Sequence, residues 1–290
     1  MALPTYATPI QRTYYYAYLF FCAVLFFFLV APLIAIVPIS FSVSPFMVFT
    51  EGMLAWPPDP EAWSLRWYRN MIGDCSAEVV SSTVPCSTKW MKGTVNSFYI
   101  GIIATFIATV LGTMAALGLS RPHMPYKALI MSILISPMIV PLIITAAGMF
   151  FFYARINLVY TFTGVILAHV ALATPFVVIT VTATLVGFDM NMVKAAQSLG
   201  AKPLRTFFKV IMPLILPGII SGALFAFITS FDEVVIVMFM ASIDQLTIPK
   251  QMWAGIRQEI SPVILCMATC LVILSICLLY TSPSPRDDGV

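Results

Sequence analysis

The chain has 290 residues, 60% of them hydrophobic and 9% charged, with a mean hydropathy of +0.98 and a formal net charge of +3. A soluble globular domain carries about 25% charged residues, so these figures describe a membrane protein and exclude a disordered chain or a disulfide-rich secreted scaffold. They also exclude a nucleic-acid binder, which needs a basic run, and a β-barrel, whose strands alternate apolar and polar residues where these stretches are apolar on every face.

Six windows contain no Asp, Glu, Lys or Arg: 13–50, 93–120, 128–154, 156–188, 210–231 and 260–285. Each exceeds the ~20 residues that carry a helix across a bilayer. They predict spans near 15–42, 95–119, 128–152, 162–187, 214–240 and 261–280, an all-α polytopic membrane protein with six transmembrane helices and both termini on one side. The first window is longer than the ~7–15 residue core of a signal peptide and no small-x-small cleavage site follows it, so it reads as an uncleaved span. Pro32 and Pro38 lie inside it, and in lipid their missing hydrogen bonds call for neighbouring helices or local bending.

The connection after the first span, about 43–94, is the one long enough for structure of its own. Residues 1–276 therefore read as a single transmembrane domain. Cys75 and Cys86 share this connection in the polar stretch GDCSAEVVSSTVPC. They can remain free thiols or pair in an oxidising compartment, where closing so short a loop contributes about 3 kcal/mol.

Loop charge sets orientation through the excess of Lys and Arg on the cytoplasmic side. The count divides evenly, with Arg12, Arg121, Lys127, Lys194, Lys202, Arg205 and Lys209 on the amino-terminal side and Arg66, Arg69, Lys89, Lys92, Arg155, Lys250 and Arg257 on the other. Arg66 and Arg69 stand far from either neighbouring span and weigh little, which favours a cytoplasmic amino terminus. Trp56, Trp63, Trp67, Trp90 and Trp253 then all fall on the outer side, as an interfacial tryptophan belt does.

Pro137, Pro141 and Pro175 interrupt the third and fourth spans, as packing kinks or as places where freed carbonyls line a polar path. His169, in the fourth span, has no carboxylate near it in sequence and is expected to be a packed, hydrogen-bonded residue. The chain contains no HExxH, no GxSxG and no glycine followed by lysine, so it has no phosphate-cradling loop ending in GK[ST]. His123 and His169 stand far apart and no zinc spacing accompanies the cysteines. No catalytic residue, metal or cofactor is expected, and the chain cannot be its own ATPase of the GK[ST] type.

Between the fourth and fifth spans, about 188–213, the sequence runs FDMNMVKAAQSLGAKPLRTFFKVIMP. It predicts two short helices. Asp189 or Asn191 caps the first, Gly200 supplies the turn, and Pro203 opens the second. Val193, Ala196 and Leu199 mark one apolar face; Leu204, Phe207 and Phe208 form a second apolar patch beside Arg205 and Lys209. Such a pair can lie on lipid headgroups or dock a cytoplasmic partner.

The series Lys194, Ala195, Ala196, Gly200 and then Val210-Ile211-Met212-Pro213 resembles the "EAA" signature of inner-membrane permease subunits of bacterial binding-protein-dependent ABC importers. Lys194 stands where that family usually has Glu. RWYRN at 66–70, SFDEVVIVMFM at 230–240 and TIPKQMWAGIRQEISPVI at 247–264 narrow the resemblance to the spermidine/putrescine branch. It implies a type I importer permease (MetI-like) fold. The importer would contain two permeases, two cytoplasmic ATP-binding subunits and a periplasmic substrate-binding protein. The 188–213 loop, with Lys194, Ala195, Ala196, Gly200, Arg205 and Pro213, would be its ATPase-coupling segment.

Asp232 and Glu233 sit inside the predicted fifth span, where a charge costs roughly 2.5–3.5 kcal/mol on insertion scales. Either they border the pathway of a cationic cargo, or they pair with a base or cap a break in the helix. Two rival readings remain: the same architecture for another organic cation, a phosphonate or iron, and an ion-coupled secondary transporter with Asp232 or Glu233 as its proton site. No internal repeat of the kind common in secondary transporters is visible. The last window ends in CLLYTSPSPRD (277–287), which looks like the in-frame translation of a sequencing-library adapter. Residues 277–290 are thus expected to be a non-native tail.

Overall fold

A computed structural model gives the fold and describes residues 8–74, 76, 88–121, 123–258 and 261–281. Cys75, Cys86 and the tail from 282 lie outside them. Every regular element among the described residues is helical, apart from one isolated bridge between Ser42 and Trp63. The chain divides into two units, Met1–Ser87 with Gln258–Cys277 and Thr88–Arg257 with Leu278–Val290.

In the first unit, α1 (Pro9–Ser40) opens on a capping box between Thr8 and Gln11 and runs unbroken through Pro32 and Pro38. Of its residues only Ser40 is buried; the rest of the helix presents apolar side chains outward, as lipid requires. Two short helices follow, α2 (Glu51–Leu54) and α3 (Arg66–Met71), with a 3₁₀ turn at Pro60–Ala62 between them. The RWYRN segment is a clasp on the end of α1. Trp67 is fully buried and its indole N–H donates to the Ser42 carbonyl at 2.8 Å, Arg66 lies 5.1 Å over the Trp67 ring, and the Tyr68 hydroxyl meets Ser40 Oγ at 2.7 Å. Beyond it, the Ser76 N–H and then the Arg69 guanidinium, 2.7 Å away, hold the Asp74 carboxyl below its ordinary range. Buried Trp67 and Trp90 correct the expectation of a five-membered interfacial belt, since only Trp56, Trp63 and Trp253 are exposed. Farther along the chain, α13 (Val263–Thr281) returns to α1 through the Cys266 thiol, which donates to the Ser40 carbonyl at 3.3 Å.

The second unit is built on three helices, α4 (Lys89–Leu119), α7 (Phe162–Val186) and α10 (Met212–Phe231), with α7 packed on both others. Small residues set their spacing, as expected where lipid supplies no hydrophobic drive between helices. A Cβ at Gly112 of α4 would lie 2.7 Å from Val177 Cβ on α7, and Gly218 and Gly222 of α10 meet Thr184 and Thr180 of α7 just as closely. Between α4 and α7 come α5 (Lys127–Ile139) and α6 (Leu142–Arg155), bent by 102° around Val140-Pro141. The third span, expected as one helix interrupted by prolines, is therefore a broken pair. Pro141 lacks the N–H to continue the helix and Val140, preceding a proline, is pushed into extended backbone. Pro175, by contrast, lies inside an uninterrupted α7.

Among the described residues four helices are long and apolar enough to cross a membrane: α1, α4, α7 and the continuous stretch Pro203–Phe231. The α5–α6 pair makes a fifth crossing if taken as one span, and Val263–Cys277 is a shorter apolar helix. The six predicted segments are thus all helical, with the third broken and the fifth displaced.

Candidate functional site

The connection after α7 folds largely as its local signals dictate. Asp189 caps α8 (Met190–Ser198) by accepting the Asn191 N–H at 2.9 Å, and Gly200 turns the chain at φ +80°, a conformation that favours glycine. Lys194 and Ala195 are exposed and Ala196 is half-buried. The second predicted helix is not separate. α9 (Pro203–Thr206) passes through a π-helical turn, Phe207–Ile211, directly into α10, so the fifth span begins at Pro203 and not at 214. The wide turn has a local cause. In a regular helix the Pro213 ring would crowd the Lys209 carbonyl one turn back, and the wider turn makes room for it. Arg205 is exposed, and Leu199, Leu204 and Phe208 are apolar yet 89%, 74% and 61% exposed.

The other end of α10 carries the carboxylates. The helix stops at Phe231 and the chain resumes as α11 (Val235–Met240), placing Asp232 and Glu233 in a break and not inside a span. Of the alternatives the sequence left open, Glu233 takes the cap: it is buried, and its Oε1 accepts the Ile236 N–H at 2.9 Å. Asp232 differs. It is exposed, its carboxylate has no hydrogen-bond or ion-pair partner among the described residues, and it borders a cleft of ≈ 480 Å³. Leu142, Ile228, Thr229, Glu233, Val234 and Val235 complete the lining. Beside the break, His169 of α7 is buried with Nδ1 2.8 Å from Ser230 Oγ. It is the packed, hydrogen-bonded residue that its place in an apolar span predicts.

One element escapes the sequence reading. The segment after α11 forms an amphipathic helix, α12 (Ile248–Gln258), where a plain connection was expected. Apolar residues at Ile248, Met252 and Ile256, with Pro249 in the first turn, are the signal that could have found it. The loop before it is fastened to α4: the Asn96 amide donates to the Asp244 and Leu246 carbonyls at 2.8 and 2.9 Å, and Ser97 Oγ accepts the Ile248 N–H at 2.8 Å. Lys92 pairs with Asp244 at 2.8 Å. Lys250 is half-buried, with its ammonium 3.0 Å from the Ala241 carbonyl and 3.3 Å from that of Val237, and burial lowers its pKa below the ordinary lysine range. Among the described residues no three His, Cys, Asp or Glu side chains are grouped to hold a metal.

With this geometry in place, comparison with known proteins is informative. The family described as "Binding-protein-dependent transport system inner membrane component" matches residues 108–281. The chain is 26% identical over 262 residues to the spermidine/putrescine transport system permease protein PotC of Haemophilus influenzae, across 90% of this chain and 93% of that protein. It is 29% identical over 254 residues to the putrescine transport system permease protein PotI of Escherichia coli, across 85% and 82%. Among solved structures, a chain of a bacterial ABC transporter involved in the import of the acidic polysaccharide alginate superposes with a TM-score of 0.69 at 13% identity, over 96% of this chain and 97% of that one. A chain of the MetNI methionine ABC transporter in an inward-facing conformation gives 0.54 at 19%, over 66% and 92%.

Proposed function

The chain belongs to the inner-membrane components of binding-protein-dependent transport systems, and from that premise we propose that its cargo is a polyamine of the spermidine/putrescine class. As a permease of the ABC-importer family it moves its cargo across the inner membrane without transforming it. The observation that carries the cargo assignment is the Asp232 carboxylate, which borders an otherwise largely apolar cleft without a partner of its own. A polyamine presents ammonium groups separated by methylenes. A carboxylate offsets the lost hydration of an ammonium, and walls such as Leu142, Ile228 and Val235 suit the methylenes. The names of the relatives PotC and PotI point the same way.

The partners follow from the family. Cytoplasmic ATPase subunits engage the 189–209 segment, a second permease completes the membrane unit, and a periplasmic binding protein delivers the cargo to the end of the bundle where α11 and α12 lie. Closure of the ATPase dimer on ATP displaces α8 and α9. Because α9 continues into α10, the movement reaches the Asp232 break and switches the cleft between outward and inward access. The test is uptake of labelled spermidine by cells carrying Asp232→Asn or Glu233→Gln. Asp232→Asn is expected to lower uptake at least tenfold at normal membrane levels; wild-type transport by Asp232→Asn would remove the cleft reading, and wild-type transport by both variants would leave neither carboxylate on the path.

A further inference from the structure

We propose that Lys250 is a positioning residue for the cargo cleft, tying the C-terminal end of α11 to a loop fixed on α4. The inference rests on the reading of the Asp232 cleft as part of the cargo path. A lysine on an amphipathic helix can usually extend its ammonium to water, yet Lys250 turns inward and spends its hydrogen bonds on the Val237 and Ala241 carbonyls. Withdrawing an ammonium from water is costly unless it meets acceptors, and those it meets are the carbonyls of Val237 in α11 and of Ala241, the residue that caps its C-terminus, where a cation complements the helix dipole. Glu233 occupies the opposite end with the opposite charge. The short helix is thereby held at both ends, with Ile236, Val237 and Met240 fully buried between them.

The base of the Lys250 arm is equally fixed. Asn96 and Ser97 of α4 hold the backbone of the loop from Asp244 to Ile248. Val235, at the start of α11, forms part of the cleft wall with Asp232 and Val234. Six residues rising ~1.5 Å each place the two ends of α11 only about 9 Å apart. A tilt released at the Lys250 end therefore moves the cleft wall.

The test uses the complete importer in lipid nanodiscs and proteoliposomes, with spermidine as cargo. Lys250→Met is expected to accelerate amide hydrogen exchange across Val235–Met240, leave α7 unchanged and lower spermidine uptake roughly tenfold; Lys250→Arg is expected to restore both. Should Lys250→Met fail to reach the membrane, Lys250→Gln carries the same two measurements. Unchanged exchange in α11 overturns the assignment. So does faster exchange with normal uptake while Asp232→Asn abolishes transport, an outcome that leaves the cleft reading intact. Normal uptake by Asp232→Asn instead removes the cleft reading, and the positioning role with it.

Discussion

Gly222→Ala is the sharpest test of how α7 and α10 are packed. A Cβ at this position would meet the Thr180 hydroxyl, and would lie 3.1 Å from Val177 Cα and 3.6 Å from Val177 Cβ. The Cα belongs to backbone and cannot swing aside. The hydroxyl is held by donation to the Phe176 and Val177 carbonyls at 2.9 and 3.1 Å. Forcing one methyl into a packed interior costs about 1–3 kcal/mol. Alanine gains roughly 1 kcal/mol over glycine in helix propensity, but in SDS the helices persist after they separate, so that gain largely cancels between the two states. A net loss near 2 kcal/mol follows, about thirtyfold in the folded-to-unfolded ratio. Titration of the purified protein from mild detergent into SDS measures it. Thr180→Ala removes the obstructing oxygen but leaves the Val177 backbone in place, so in its background Gly222→Ala should cost clearly less than it does in the wild type, though not nothing. Gly118→Ala, where nothing lies within 4 Å, is the neutral control. A Gly222→Ala protein as stable as wild type, or a double variant showing the plain sum of the two changes, would refute the packing argument.

Glu233→Leu should destabilise α11 by about 1 kcal/mol through loss of its cap, seen as increased proteolysis near Val235. Glu233→Gln retains an acceptor for the Ile236 N–H and should resist proteolysis as wild type does. Gly200→Ala meets no steric obstacle but forces a side chain into φ +80°, at a cost of about 1–2 kcal/mol. Coupling of ATP hydrolysis to uptake in the reconstituted importer should weaken about fivefold while delivery by the binding protein is unaffected.

The parts of this fold that are written locally were legible in the sequence. Apolar length located α7 to within one residue, and the Asp189 cap and Gly200 turn identified α8, because each signal acts over four or five residues. The parts that depend on distant partners were not. Pro141 announced a break, but no local feature sets the 102° between α5 and α6. The fifth span was expected from 214, whereas the π-turn ahead of Pro213 lets the helix begin eleven residues earlier. Asp232 and Glu233 look equivalent as neighbours in a charge-poor stretch. Their separation into a free carboxylate and a cap depends on where α11 begins, and α11 is held by Lys250, seventeen residues beyond Glu233. Trp67 reads as an interfacial anchor until its N–H is seen bonded to Ser42.

The unbroken helix from Pro203 to Phe231 has a mechanical consequence. Its 29 residues make a rod of about 43 Å, with the exposed Leu204 and Phe208 at one end and Asp232 as the residue that closes the other. α7 grips it most tightly at Gly218 and Gly222, part-way along, and a rod gripped there turns about that point. The arm toward Leu204 is ~24 Å and the arm toward Asp232 ~18 Å. A 2 Å push at the Leu204 end would then swing the carboxylate by roughly 1.5 Å in the opposite direction. The two glycines would act as a fulcrum, and under the coupling proposed above their closeness to α7 would set how faithfully a cytoplasmic stroke reaches Asp232.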